Sequence, residues 1–234
     1  KANKKIVNSR VAVALSGGPD SVCLLYLLNN IKEKYNLTLT AAHLNHKIRE
    51  NEAERDMQFC IELCKKLDIP LTVENKEVLN LAQKGESVET AARRLRYEFF
   101  DSLKCDYIAT AHNSDDNAET VLLNILRGSG TKGARGIPSI RGKIIRPLLS
   151  FSKKEILEYL NTNNLSFVID STNNQNEYSR NKLRNKAFPL FYEINENFKE
   201  NIKGYLPEQC AYAARVSALL EEREIVNPRA HIVT

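Results

Sequence analysis

The sequence predicts an α/β fold, a doubly wound parallel sheet followed by a C-terminal helical extension. Short runs of continuous apolar residues, such as residues 11–15, have the length of buried strands. Between them lie longer segments with apolar residues at helical spacing, such as residues 22–31. Fully apolar strands that alternate with helices are typical of a parallel sheet covered on both faces.

The predicted elements keep this alternation along most of the chain. The predicted strands are residues 11–15, 37–44, 71–73, 107–111 and 144–145. The predicted helices are residues 22–31, 52–67, 88–103 and 118–126, and one that carries Ile156, Leu157 and Leu160. Ser87 is a predicted N-cap, and Ser152 with Glu155 is a predicted capping box. Helical patterns resume at residue 180, so we expect one domain over residues 1–186 and a helical extension or linker over residues 187–234.

The composition is that of an ordinary globular protein. Hydrophobic residues make up 42% of the 234 residues, without an apolar stretch of the roughly 18 residues that a membrane span needs. The chain shows no apolar run before the first strand, so nothing resembles a secretory signal and we expect a cytoplasmic location without membrane association. The five cysteines are odd in number and scattered, which predicts reduced, mostly buried thiols.

Positive charge is concentrated in two stretches, although the net charge is only +5. One stretch has no Asp or Glu and contains Arg127, Lys132, Arg135, Arg141, Lys143, Arg146, Lys153 and Lys154. The other contains Arg180, Lys182, Arg184 and Lys186. Solvated surface is the ordinary explanation for any single lysine. Two long stretches of one sign favour a polyanionic partner instead.

A phosphate-binding loop is predicted where the first strand meets the first helix. Ligands of an open parallel sheet sit at the carboxyl ends of its strands. Two glycines allow close approach of the backbone, a proline suits a helix start, and backbone N–H groups there favour phosphate. Neither a Walker A loop nor a G-x-G-x-x-G fingerprint follows this strand, and a plain turn would need one glycine at most. The residues of this loop are Ser16, Gly17, Gly18, Pro19, Asp20 and Ser21.

The S-G-G-P-D-S loop resembles the signature of the PP-loop ATP pyrophosphatases. The resemblance implies that ATP is cleaved between its α and β phosphates, that a carbonyl oxygen is adenylated, and that a nucleophile then displaces AMP. The group includes GMP synthetase, argininosuccinate synthetase, tRNA thiolases and lysidine synthetases. The loop alone does not choose among them.

Further segments resemble the lysidine synthetases in particular. They are residues 43–49, 89–97, 110–120, 126–133, 146–149 and 170–184, in the family's order. Asn113 and Asn117 depart from the family's His and Gln, and because asparagine does not titrate, the sequence argues against an acid–base role at position 113. The lead-in before Asp170 also departs, with Phe167 in place of Trp. The resemblance implies ligation of L-lysine to carbon 2 of the wobble cytidine of tRNA(Ile) with a CAU anticodon, through an adenylated cytidine.

The chemistry of such a reaction suggests roles for individual residues. Carboxylates at Asp20 and Asp116 would hold Mg²⁺ on the triphosphate. Arginines would hold the cytosine or its flanking phosphates, and His112 or a nearby carboxylate would accept the proton of the attacking lysine. His43 is assigned to the nucleotide-binding group with the loop, and a metal role for it is disfavoured by the lack of a third ligand. The residues assigned to catalysis are Asp20, Arg93, His112, Asp116, Arg180 and Arg184.

Several alternatives stay open at this point. Asp115 and Glu119 fit catalysis and a favourable interaction with a helix dipole about equally well. A tRNA thiolase would need reactive cysteine pairs, whereas Cys60 and Cys64 have the i, i+4 spacing of packed helix residues. A non-catalytic ATP-binding or RNA-binding module would release no pyrophosphate. The oligomeric state is not readable from the sequence.

Overall fold

The computed structural model describes residues 6–47, 50–129, 136–169 and 182–204. Within these ranges the chain forms two compact units. The first unit extends to Thr110 and includes residues 143–145 and 166–168, and the second contains the remaining residues. Of the described helices, none is at once long enough and apolar enough to cross a bilayer.

A parallel sheet forms the centre of the first unit. Its strands are β1 (Arg10–Ala14), β2 (Thr38–Asn45), β3 (Leu71–Asn75), β4 (Tyr107–Ala109) and β6 (Ile144–Ile145). Their order is β3-β2-β1-β4-β6, and each neighbouring pair is parallel. The helices of this unit are α1 (Pro19–Ile31), α2 (Glu50–Lys66), α3 (Val78–Leu81) and α4 (Val88–Ser102). The predicted parallel α/β fold is confirmed.

Apolar side chains are buried on both faces of this sheet. Successive residues of a strand point to opposite faces. Ala12, Ala42 and Ile108 pack against Phe99 and Phe100 of α4. The alternate positions, which include Val11, Val13, Ala41 and Ala109, are also at most 2% exposed. Both faces are therefore covered, which explains why these strands are continuous apolar runs in the sequence.

The second unit consists mainly of helices. They are α5 (Ser114–Leu126), α6 (Lys153–Thr162), a π-helical turn (Leu183–Ala187), α7 (Phe188–Ile194) and α8 (Phe198–Gly204), and Ile140–Arg141 is the two-residue strand β5. Ala118 of α5 packs with Leu183 and Phe188, and Phe191 and Phe198 extend this core. The C-terminal helices are thus confirmed as far as residue 204. Residues 205–234 lie outside the described ranges, and the predicted division at residue 186 stays a prediction.

Helix α5 begins four residues earlier than predicted, at Ser114 instead of Ala118. The side chain of Asn113 accepts a hydrogen bond from the backbone N–H of Asp116 at 3.0 Å, and the carboxylate of Asp116 accepts one from the N–H of Asn113 at 3.0 Å. This capping box supplies the N-terminal turn that the apolar pattern alone does not reveal. The predicted caps at Ser87 and at Ser152 with Glu155 are both confirmed.

Candidate active-site residues

The predicted phosphate loop connects β1 to α1 in the first unit. Pro19 is at the first helical position, and the N-cap residue Gly18 has no side chain with which to cap the helix. The hydroxyl of Ser21 donates to the carbonyl of Gly18 at 2.9 Å and accepts from the backbone N–H of Ser16 at 3.2 Å. These bonds fold the loop back on itself while Asp20 lies in the first turn of α1. Because Gly18 has no capping side chain, the N-terminus of α1 is not covered by its N-cap residue. A helix N-terminus favours negative charge.

Gly17 is required by the backbone of this loop. Its φ is +86°, a value that side-chain-bearing residues rarely adopt. A Cβ atom at this position would lie 3.4 Å from both Sγ of Cys60 and a ring carbon of Phe59. The carbonyl of Gly17 accepts a hydrogen bond from the N–H of Val168 at 2.9 Å. The loop is therefore held against α2 on one side and against residues 166–168 on the other.

His43 supports the strand that leads into the loop. Its ring is 4% exposed, and Nδ1 lies 2.8 Å from the carbonyl oxygen of Leu15. A carbonyl can only accept, so Nδ1 carries the proton and donates it. Burial lowers the pKa of His43 below its ordinary value, and the bond to Leu15 opposes that shift in part. A neutral histidine thus fixes the residue immediately before Ser16.

The cysteines of the first unit have the properties of packed thiols. Cys60 and Cys64 are at most 2% exposed and carry free thiols, as the helical spacing predicts. Burial raises the pKa of the Cys60 thiol, and it raises the pKa of Cys64 to about 11. Such groups are protonated at neutral pH and are therefore poor nucleophiles.

An acidic cluster lies in the first two turns of α5, in the second unit. Glu119 has a side chain that is only 1% exposed, and Arg184 approaches its Oε1 with Nε at 2.7 Å and Nη2 at 2.6 Å. Nη2 of Arg184 is also 3.7 Å from Oδ1 of Asp116. The side chain of Arg184 is 43% exposed. The guanidinium thus contacts the buried carboxylate of Glu119 and the half-buried Asp116, while part of the side chain reaches solvent.

Asp115 connects α5 to two other helices. One carboxylate oxygen accepts a hydrogen bond from the backbone N–H of Lys153 at 2.8 Å, at the first residue of α6. The other oxygen accepts a hydrogen bond from the ammonium of Lys199, on α8. The role of Asp115 is therefore partly to link helices, beyond a favourable interaction with the helix dipole.

The side chain of Asn117 organises the end of the glycine-rich segment. Its Oδ1 accepts a hydrogen bond from the N–H of Ile137 at 2.7 Å. Gly136 has a φ of +66°, and a Cβ atom there would collide with the same amide oxygen. Asn117 is 4% exposed. The departure from the family's glutamine therefore falls at a structural position.

A sequence model of the PP-loop domain family matches residues 1–191. A tRNA(Ile)-lysidine synthase from Petrotoga mobilis is 36% identical over 230 residues, which cover 95% of this chain and 74% of that protein. The chain belongs to the tRNA(Ile)-lysidine synthase family of PP-loop domains. Another such synthase, from Clostridium acetobutylicum, is 42% identical over 205 residues, covering 85% of this chain and 44% of that protein. The chain spans less than half the length of the first curated relatives that it matches.

The fold of this family member also resembles the solved structure of a protein with a different activity. The U34-tRNA thiolase NcsA from Methanococcus maripaludis, with its 4Fe-4S cluster, superposes with a TM-score of 0.66 at 23% identity. The superposition covers 95% of this chain and 75% of the thiolase. At that identity the likeness concerns the fold alone.

The remaining predicted site residues of this family member lie in different parts of the chain. Arg93 is on α4 in the first unit, where its guanidinium lies 5.3 Å from the centre of the Tyr97 ring. His112 is half-buried and precedes the Asn113 cap in the second unit. Arg180 lies outside the described residues. Among the described residues, no three His, Cys, Asp or Glu side chains form a group that could hold a metal.

The long basic stretch contains two side chains with structural roles. Arg146 is 4% exposed and donates to the carbonyl of Pro138 at 2.6 Å. Lys143 donates to the carbonyl of Phe100 at 2.6 Å and lies 3.6 Å from a carboxylate oxygen of Asp101. Lys132 and Arg135 lie outside the described residues. Arg127, Arg141 and Lys154 are exposed, so part of the stretch is available to a polyanion.

Proposed function

We propose that this chain ligates L-lysine to carbon 2 of the wobble cytidine of tRNA(Ile) with a CAU anticodon. ATP adenylates the cytidine oxygen with release of pyrophosphate, and the ε-amine of lysine then attacks carbon 2 and displaces AMP. The observation that carries this proposal is the 36% identity to the Petrotoga mobilis synthase, because that match covers 95% of this chain and 74% of that protein.

The proposal assigns nucleotide binding to the first unit. The residues for it are Ser16 to Ser21, with His43 as the buried support of the strand end. The main-chain path at Gly17 and the proline at the start of α1 suit the approach of phosphate oxygens. Asp20, in the first turn of the same helix, is the carboxylate nearest in sequence to that path.

The proposal assigns binding of the cytosine and activation of the lysine amine to residues of the second unit. Arg93 and Arg180 are assigned to the same steps. Arg184 is already fixed by Glu119 and can present its exposed edge to a base or a phosphate. His112 is a candidate acceptor for the lysine proton, and Asp116 is a carboxylate at the start of α5. Arg184 and Asp116 are suited to an orienting role because each is already held by contacts within α5 and its neighbours.

Magnesium is part of the proposal, with Asp20 and Asp116 as its protein ligands. Carboxylate oxygens are the ligands that Mg²⁺ prefers, and the ion usually keeps several waters beside one or two carboxylates and substrate phosphates. Two protein carboxylates therefore suffice, and the lack of a three-residue cluster in the described ranges does not conflict with this donor set. When bound, the ion would neutralise charge on the triphosphate.

The test is incubation of the chain with labelled ATP, labelled lysine and a tRNA(Ile) transcript with a CAU anticodon. We expect AMP and pyrophosphate, and acid-insoluble lysine on this transcript but not on one with a wobble uridine. Cytosine offers an amino donor at position 4 where uracil offers an acceptor, so a site matched to cytosine leaves a polar group unpaired with uridine. Asp20→Asn should abolish pyrophosphate release, whereas the matched exposed variant Asp101→Asn should not.

The other outcomes identify the competing functions. ADP in place of AMP would exclude adenylation. Sulfur incorporation from a persulfide donor, without lysine, would indicate a thiolase, although the buried thiols of Cys60 and Cys64 provide no support for that activity. RNA and ATP binding without pyrophosphate release would indicate a binding module.

A further inference from the structure

Lys199 is a half-buried cation that the proposed reaction does not use. It lies on α8, where its ammonium donates a hydrogen bond to Asp115. The nitrogen is also 4.9 Å from the centre of the Phe188 ring and 5.4 Å from that of Tyr192. Burial lowers the pKa of Lys199, but the contacts with Asp115 and Tyr192 outweigh it and the pKa is raised overall. The side chain therefore carries its charge at neutral pH, inside a frame of one carboxylate and two aromatic rings.

The carboxylate in this frame belongs to the helix turn that also carries Asp116. Asp115 and Asp116 are the second and third residues of α5. The carboxylate of Asp115 receives Lys199 on one oxygen and the N–H of Lys153 on the other, so α5, α6 and α8 meet at this side chain. Asp116 itself faces the Asn113 cap and Arg184. The two adjacent acids thus have different partners. Because Asp115 is held by Lys153 and Lys199, the backbone that carries Asp116 is restrained as well.

We propose that Lys199 is a positioning residue, which holds the first turn of α5 so that Asp116 and Arg184 keep the geometry that the reaction requires. This inference rests on the proposed function, because Asp116 and Arg184 are assigned there. A displacement of about 1 Å at a reacting group can lower a rate by about a hundredfold, so a contact without direct access to the substrate can control turnover. An ion pair between helices that are far apart in sequence suits this role because each partner is fixed by further contacts.

The test compares Lys199→Met with Lys199→Arg and with a matched control, Lys66→Met. Methionine keeps the apolar contacts with the aromatic rings and removes the charge, whereas arginine retains the charge. Lys66 is an exposed lysine in the last turn of α2. The readout is pyrophosphate release with the CAU transcript. We expect kcat for Lys199→Met to fall by about tenfold or more, with KM for ATP and RNA within about twofold of the parent, and Lys199→Arg to restore most of the rate.

Asp115→Asn is the second variant, because it keeps the shape of the side chain and so decides the question if Lys199→Met does not fold. The two substitutions should be non-additive, with the double variant no slower than the slower single one. A full kcat in folded Lys199→Met or Asp115→Asn, or a rise in KM for RNA as the only effect, would overturn the proposal. If the parent releases pyrophosphate but transfers no lysine, the proposed function fails while this comparison of kcat values remains decisive for Lys199.

Discussion

Arg184 contacts the buried carboxylate of Glu119 with two of its nitrogens, at 2.6 and 2.7 Å, across 65 positions of sequence. Both nitrogens approach the same oxygen, Oε1. Glu119 lies one helical turn from Asp116 on α5, and Arg184 lies in the π-helical turn that precedes α7. Single-turn π segments are frequent at functional sites. The ion pair thus fixes Arg184, one of the cations of the second basic stretch, beside the acidic residues of α5.

Replacement of Arg184 by Met should destabilise the protein. The buried carboxylate loses two charge-assisted contacts, and we expect a loss of about 1–3 kcal/mol, less than for a fully buried pair because the arginine is partly exposed. Urea unfolding measures the change, with Arg141→Met as an exposed control. Glu119→Gln in the Arg184→Met background should recover part of the loss, since a neutral amide costs less to bury. Equal stability of the two arginine variants would contradict this prediction.

Gly17→Ala and Gly85→Ala should cost similar stability but differ in activity. Their φ values are +86° and +82°, so each alanine incurs a left-handed backbone penalty of roughly 1–2 kcal/mol. A Cβ atom at Gly85 meets nothing within 4 Å, whereas one at Gly17, a residue of the phosphate loop, lies 3.4 Å from atoms of Cys60 and Phe59 on α2. We therefore expect only Gly17→Ala to weaken ATP binding and pyrophosphate release. Equal inactivation of both variants would show that strain alone, and not the loop, governs activity.

The stability of the protein should fall as the pH is lowered from about 7 to about 5, in part through His46. Burial, together with the nearby Arg96 and His43, lowers the pKa of His46 to about 4. In the unfolded chain the pKa of His46 has its ordinary value of about 6.5, so the unfolded state binds the proton more strongly than the folded state. The contribution of neutral His46 to stability is therefore complete above about pH 6.5 and is lost as the pH falls towards about 4. Each unit of pH costs up to about 1.4 kcal/mol in that window. His46→Gln should flatten the pH dependence in urea unfolding, and an unchanged slope would contradict the assignment.

Charge reversal in the basic stretch should weaken RNA binding in a salt-dependent way. We expect Lys132→Glu with Arg135→Glu to lower the magnitude of the log–log salt slope by roughly 0.7 to 0.9 for each lost phosphate contact. The matched control is Lys65→Glu with Lys66→Glu, which reverses two exposed charges on α2. Filter binding over a range of salt concentrations provides the measurement. If both pairs leave affinity and slope unchanged, the stretch is ordinary solvated surface.

The strands could be predicted because burial on both faces of the sheet leaves a continuous apolar run in the sequence. Most helices could be predicted from apolar residues at helical spacing. The start of α5 was predicted wrongly because the turn before Ala118 is stabilised by polar side chains, Asn113 and Asp116, and not by apolar spacing. The sequence does contain a signal for this helix start, because an Asn followed three residues later by an acid is a variant of a capping box.

The contents of the candidate site were predictable only in part. The residue types and the loop were recognisable from the motifs, and their roles stay predictions. Charge in the sequence does not report burial, so Arg146 looked like a surface residue of the basic stretch although it is 4% exposed. The sequence does not reveal a role for Lys199 because its partner Asp115 is 84 positions away and no local pattern links them.

The hydrogen bond between Asn117 and Ile137 makes two motifs depend on each other. The amide oxygen that accepts the N–H of Ile137 also occupies the space that a side chain at position 136 would need. A side chain at position 136 therefore requires a change at Asn117. In turn, a change at Asn117 removes the hydrogen bond that anchors the end of the glycine-rich segment. The acidic motif and the glycine-rich segment should for this reason be inherited, and transplanted into a related protein, as a single module.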